Sequence, residues 1–123
     1  MTNSFNKPGD TGLRRVIKAT GYSIKGLKSA FKSEAAVRQE LTLCAIFIPV
    51  AFYLNVSKIE TIALVGSLVL IFILELINSA IEAVVDRIGP EHHELSGKAK
   101  DIGSAAVMVA IFFAIFTWFL ILV

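Results

Sequence analysis

The stretch LVGSLVLIFILELINSAIEAVVDR, residues 64–87, begins as an apolar run and ends with polar and charged side chains at helical spacing. A charged or amide group in hydrocarbon costs free energy, so its presence there needs an explanation. On an ideal helix, four of the polar side chains that follow Glu75 lie within about 60° of it. They are Asn78, Ser79, Glu82 and Asp86. The stretch therefore predicts a membrane helix with one polar face near its end.

Composition indicates that the whole chain is a membrane protein. Of its 123 residues, 55% are hydrophobic and 18% are charged, whereas soluble domains have about a quarter charged residues. The single cysteine, Cys44, excludes an intrachain disulfide and a cysteine-based metal cluster. A formal net charge of only +2 argues against a nucleic-acid partner.

The hydrophobic pattern predicts an all-α polytopic membrane protein with three transmembrane helices and an N-terminal amphipathic interfacial helix. Residues 1–12 are polar and are expected to form a mobile tail. Residues 13–32 place apolar side chains on one stripe and basic ones along its flank, as in helices that lie in a membrane interface. Ser33 is expected to cap the next helix. Within the membrane-embedded domain, 13–123, the predicted spans are about 35–56, 59–85 and 102–123.

Basic residues predict the orientation of these spans. Of the 12 lysines and arginines, only Lys58 lies in the short hairpin between the first two spans. The others precede the first span or follow the second, in or near the polar connection DRIGPEHHELSGKAKD, residues 86–101. The positive-inside rule then places the N-terminus in the cytoplasm and the C-terminus on the periplasmic side.

The depth of the polar face favours chemistry at the headgroup layer. If the second span enters the membrane near Glu60, Glu75 lies about 22 Å deep and Glu82 about 33 Å deep, in a hydrocarbon layer about 30 Å thick. Transporters tend to place ionisable groups nearer the midplane. Asn78 and Ser79 also have a purely structural interpretation, as hydrogen-bond partners between helices. Three helices alone would leave much of this face unsealed, so a homo-oligomer is expected.

Three segments carry a resemblance to a known family. They are RVIKATGYSIKGLK (15–28), SEAAVRQE (33–40) and ELINSAIEAVVDRIGPEHHELSGKAKDIGSAAV (75–107). Together they resemble the small prokaryotic integral-membrane diacylglycerol kinases. The resemblance implies a homotrimer in the bacterial inner membrane, with active sites shared between subunits. It also implies transfer of the γ-phosphoryl group of MgATP to the primary hydroxyl of diacylglycerol, giving phosphatidic acid.

The same resemblance implies a role for each matching residue. Glu75 would be the general base, Asn78 would position the reacting groups, and Glu34 and Glu82 would hold Mg²⁺ bound to ATP. The other implied nucleotide contacts are Arg15, Lys18, Tyr22, His92, His93, Lys100 and Asp101, and the implied lipid contacts are Arg15, Glu75 and Ser104.

One departure and two alternative functions remain open at this stage. The chain has Glu91-His92-His93 where the family commonly has Glu-Tyr-His, which makes the role of His92 less certain. The histidine pair also permits a metal site, although no further ligand stands at a suitable spacing. The alternative functions are an undecaprenol kinase of the same architecture and a non-enzymatic small membrane subunit.

Overall fold

The computed structural model describes residues 11–89 and 93–123, and these residues form four α-helices. They are α1 (Gly12–Ser33), α2 (Ala35–Tyr53), α3 (Lys58–Ile88) and α4 (Glu94–Leu122). The predicted all-α fold is confirmed. The chain divides into two compact units: Met1–Ser33, which contains α1, and Glu34–Val123, which contains the other three helices.

Helix α1 is amphipathic and differs from the predicted segment by one residue at each end. None of its residues is buried, and its large apolar side chains, such as Ile17, Leu27 and Phe31, remain exposed. The hydroxyls of Thr20 and Ser23 donate to backbone carbonyls one turn earlier, each at 2.9 Å. An uncovered apolar stripe on a basic helix is the surface that a membrane interface would cover.

The prediction that Ser33 caps α2 is wrong. Glu34 occupies the N-cap position, with extended backbone angles (φ −116°, ψ 113°), and makes no side-chain capping hydrogen bond. The Ser33 hydroxyl instead donates to the carbonyl of Ser29 at 2.9 Å. Because α1 continues through Ser33, that hydroxyl lies against the preceding turn of α1.

A capping box starts α3 at the end of the hairpin from α2. The Ser57 hydroxyl accepts a hydrogen bond from the Glu60 backbone N–H (3.2 Å), and the Glu60 carboxylate accepts one from the Ser57 N–H (3.0 Å). This reciprocal pair satisfies two backbone donors that a helix N-terminus otherwise leaves unpaired. It sets the first residue of α3 at Lys58.

Helices α3 and α4 pack antiparallel along most of their length. Near one end the Trp118 indole N–H lies 3.1 Å from the Leu64 carbonyl and 3.2 Å from the Ser67 hydroxyl, and it donates to both. The middle of the pair is a buried cluster that contains Ile71, Ala110 and Ala114. Small alanines let the two backbones approach closely. The edge of the Phe47 ring meets Trp118, with centroids 5.7 Å apart, which joins α2 to the pair.

Helices α2, α3 and α4 are each long and apolar enough to cross a membrane. With 31 residues, α3 is about 46 Å long, which exceeds the roughly 30 Å of hydrocarbon in a bilayer. Many of the large apolar side chains on these helices are exposed, including Phe112, Phe116 and Leu120. Such a surface is suited to lipid, so the predicted class of a polytopic membrane protein is confirmed.

The connection between α3 and α4 is much shorter than predicted. Helix α3 runs to Ile88, and α4 begins at Glu94, well before the predicted start of the third span at Ile102. Residues 94–101 are therefore helical despite their polar sequence. The His93 side chain explains where α4 starts, because its Nδ1 accepts a hydrogen bond from the Leu95 backbone N–H at 3.0 Å.

Candidate active site

The polar face identified in the sequence lies on a single continuous helix. Glu75, Asn78, Ser79 and Glu82 are all within α3 and are half-buried, whereas Asp86 near its end is exposed. If α3 enters hydrocarbon at Lys58, Asn78 lies about 30 Å along it, with Glu75 on one side of that level and Glu82 on the other. With that entry point, the face would lie where hydrocarbon gives way to headgroups.

Three other carboxylates surround Glu75. It interacts electrostatically with Glu82 on its own helix and with Glu34 at the start of α2. It also acts on Glu40, one and a half turns further along α2. Like charges so close together repel one another, and folding alone gives no reason to collect them. An acidic cluster made of Glu34, Glu40, Glu75 and Glu82 is therefore a candidate for chemistry that uses a cation.

Glu40 is the member of this acidic cluster that sequence reasoning missed. Its residue surface is only 7% exposed, and the Cys44 thiol donates to its Oε1 at 3.7 Å. In the sequence it is the last residue of SEAAVRQE, and no role is predicted for it. The available signal was its position, because Glu40 directly precedes the apolar run of α2 and Glu75 similarly lies at the edge of the apolar run of α3.

The acidic cluster suits a magnesium ion that arrives with a nucleotide. Within residues 11–89 and 93–123, no group of three or more His, Cys, Asp or Glu side chains is arranged to hold a metal by itself. Magnesium usually binds through one or two carboxylates together with waters and substrate phosphates. Glu34 and Glu82 both repel Glu75, and a divalent cation would relieve that repulsion. The donor chemistry therefore fits the expected ion.

A lysine of α4 lies beside this acidic face. The Lys100 ammonium is 2.7 Å from the Asp86 carboxylate, and it is also attracted by Glu82. Both partners of the ion pair are substantially exposed, so the pair contributes little stability. Lys100 can thus exchange Asp86 for another anion at small cost. The polar extension of α4 is what brings this predicted phosphate contact to the end of α3.

The sequence also allowed Asn78 and Ser79 to be hydrogen-bond partners between helices, but they do not make such bonds in the part of the chain that the structure describes. Asn78 Oδ1 and Ser79 Oγ are buried, and neither has a hydrogen-bond partner among the described residues. Buried polar atoms are nearly always paired, so an unpaired one calls for an explanation. Asn78 Oδ1 packs against Gly103 of α4. On the outer side of α4, Asp101 and Ser104 are exposed.

The remaining predicted site residues belong to other segments of the chain. Arg15, Lys18 and Tyr22 belong to α1, in the other compact unit, and Lys18 and Tyr22 are one helical turn apart there. His93 caps α4. His92 lies outside the described residues, and its nucleotide contact stays a prediction.

Comparison with known proteins identifies the family. The profile of the prokaryotic diacylglycerol kinase family matches residues 21–122, which is most of the chain. The chain belongs to the prokaryotic diacylglycerol kinase family. The resemblance found in the sequence is therefore confirmed, and residues 21–122 include every predicted site residue except Arg15 and Lys18.

Similar proteins share about half of their residues with this family member. It is 54% identical to a diacylglycerol kinase of Escherichia coli K12 over 112 residues, which is 91% of this chain and 92% of that one. It is 54% identical to a diacylglycerol kinase of Haemophilus influenzae over 108 residues, covering 88% and 92% of the two chains. A diacylglycerol kinase of Pseudomonas aeruginosa is 51% identical over 114 residues, 93% of each chain. The predicted enzyme class agrees with all three names.

Proposed function

We propose that this chain is a diacylglycerol kinase that transfers the γ-phosphoryl group of MgATP to the primary hydroxyl of diacylglycerol. The observation that carries the proposal is the acidic cluster around Glu75, just past the middle of a helix long enough to cross the membrane. A lipid hydroxyl and a charged, water-soluble phosphate donor meet at that level of a bilayer. Family membership supports the same reaction.

Glu75 would be the general base. Its half-buried setting at the apolar edge of the polar face supports this role. Its carboxylate accepts the proton as the hydroxyl oxygen forms a bond to the γ-phosphorus, while the bond from that phosphorus to the bridging oxygen of ADP breaks. A positioned base of this kind accelerates proton transfer by about 10²–10⁴-fold.

The neighbouring side chains bind and position the donor. Glu34 and Glu82 would hold Mg²⁺, which neutralises phosphate charge when it is bound. Lys100 would leave Asp86 to contact the phosphates, and Asn78 would position the reacting groups. The other proposed nucleotide contacts are Arg15, Lys18, Tyr22, His92, His93 and Asp101, and the other proposed lipid contacts are Arg15 and Ser104.

The same proposal includes the assembly and its orientation. We propose a homotrimer in the inner membrane, because the acidic cluster and the exposed Ser104 need a second surface to enclose a substrate. The distribution of basic residues supports a cytoplasmic N-terminus and a periplasmic C-terminus. The acidic cluster then faces cytoplasmic ATP.

A lipid-kinase assay tests the reaction directly. The purified full-length chain is placed in mixed micelles with radiolabelled ATP and Mg²⁺, and labelled lipid is measured with diacylglycerol or with undecaprenol as the acceptor. We expect labelled phosphatidic acid, with the initial rate higher on diacylglycerol. Faster turnover of undecaprenol would assign the chain to the other lipid. Absence of transfer to either lipid would favour a non-enzymatic subunit.

A further inference from the structure

The contact between Asn78 and Gly103 has a consequence for the reaction beyond the proposed function. The two residues meet where α3 and α4 pass each other, at the level of the acidic cluster. Gly103 is buried, and a Cβ atom added to it would overlap Asn78 Oδ1 and lie 3.3 Å from Asn78 Cγ. The space that any other residue would fill at position 103 is therefore occupied by the carboxamide of Asn78.

Exchange of the two ends of the amide would not relieve this overlap. A half-turn about χ2 puts a nitrogen of similar size where the oxygen lies, and the distance of 3.3 Å to Cγ is tight for any carbon contact. The Asn78 side chain must then turn its amide plane to another χ2 angle or change χ1. Either response moves the carboxamide oxygen away from its present position.

Separation of the two helices is the other possible response, and the packing between them opposes it. The buried cluster around Ile71 and Ala110 and the hydrogen bonds of Trp118 hold α3 against α4. Interiors packed this closely do not open for a single methyl group without loss elsewhere. The side chain of Asn78 is therefore the part that must move.

Gly103 differs from the other glycines inside the helices of the bundle. Gly66 and Gly97 have open space where a Cβ would be placed. Glycine weakens a helix interior compared with alanine, so its presence at a crowded site has a packing reason. The buried Asn78 Oδ1 has no hydrogen-bond partner in the described part of the chain. Packing against Gly103 is thus what holds this end of the carboxamide in place.

We propose that Gly103 is a positioning residue for phosphoryl transfer, which acts by holding the Asn78 carboxamide on the reacting face of α3. The inference rests on the proposed function and assigns Gly103 a part in it. Asn78 is one turn from both Glu75 and Glu82 on that face. Gly103 itself touches no reacting atom. It provides the space that keeps Asn78 between the base and the proposed metal ligand.

Two alanine substitutions separate this role from a general effect of replacing glycine. Gly103→Ala should lower kcat on the order of 10- to 100-fold, because displacement of a positioning group by an ångström or more has effects of that size. The KM for ATP should change little. Gly66→Ala, the same change in the interior of α3 with open space around it, should leave kcat within about twofold of the parent chain. Equal kcat for the two variants would overturn the proposal.

A double-mutant cycle shows whether the effect passes through Asn78. If it does, Asn78→Ala and the double variant Asn78→Ala/Gly103→Ala should have the same residual kcat, since no carboxamide is left to displace. An equal fractional loss from Gly103→Ala in both backgrounds would refute the proposal. If Gly103→Ala does not fold, the double variant should recover folded protein, and failure to recover it would also refute the proposal.

The same four proteins distinguish a failure of this inference from a failure of the proposed function. Their melting temperatures measure the Asn78–Gly103 contact without any substrate. A parent chain that transfers no phosphoryl group to any lipid contradicts the proposed function. Additive melting-temperature changes around the cycle contradict the contact itself, whatever the activity.

Discussion

Replacing Glu75 with glutamine should lower activity and raise stability at the same time. The change keeps the size of the side chain and removes its charge. Loss of a general base is expected to reduce kcat by about 10²–10⁴-fold, which corresponds to about 3–5 kcal/mol in the activation barrier. If Glu75 were needed only for structure, the substitution would lower both activity and stability.

The gain in stability follows from the repulsions around Glu75. Glu82 is two helical turns away, about 10 Å along the axis, and Glu34 is a second close carboxylate. With an effective dielectric constant of about 20, the repulsion between two charges at that distance is on the order of 1–2 kcal/mol, and it is smaller in salt. We therefore expect Glu75→Gln to increase the free energy of unfolding by about 1 kcal/mol.

Both quantities are measurable on the same preparation. Initial rates with radiolabelled ATP and diacylglycerol give kcat, and unfolding by sodium dodecyl sulfate in mixed micelles gives the stability. Glu60→Gln is the matched control, because it changes the same residue type in the first turn of α3 and a glutamine can still complete the capping box. It should keep full activity. Near-full activity in Glu75→Gln, or lower stability with unchanged kcat, would refute the assignment of Glu75 as the base.

Four further substitutions test other parts of the structure. Trp118→Phe removes the indole N–H that donates to two acceptors on α3 and should lower the free energy of unfolding in micelles by about 0.6–1.7 kcal/mol; an unchanged stability would contradict that role. Lys100→Met should raise the KM for ATP several-fold. Asp86→Asn should leave the KM within about twofold, because an exposed ion pair contributes little. Equal effects of the two substitutions would contradict a phosphate contact for Lys100. Glu82→Gln should shift the Mg²⁺ concentration needed for half-maximal activity upward, and an identical Mg²⁺ titration would count against Glu82 as a ligand.

Several features of the fold could be predicted from sequence because they depend on local spacing. A 3.6-residue period and long apolar runs indicate helices that cross a membrane, and α2, α3 and α4 are such helices. The same period placed Glu75 and Glu82 on one face of α3. The motif around them was specific enough to identify the family.

The start of α4 and the N-cap of α2 were predicted wrongly, because the apolar pattern gives no information in those polar segments. Residues 94–101 are polar because they extend beyond the hydrocarbon, so hydrophobicity could not mark them as part of α4. His93 is a usable cap signal in the sequence, although the family resemblance implies only a nucleotide contact for it. Ser33 is a residue type that favours the N-cap, but α1 continues through it and leaves Glu34 in that position.

The sequence by itself determined the kind of protein, the helices that cross the membrane and the family reaction. Each of these depends on residues that are near one another along the chain. Tertiary structure decided which parts of different helices meet: Glu40 beside Glu75, Lys100 on Asp86, and Gly103 against Asn78. Such contacts depend on the register and rotation of one helix against another. The periodicity of a single helix shows which face is polar, but it does not show which residue of another helix that face will meet.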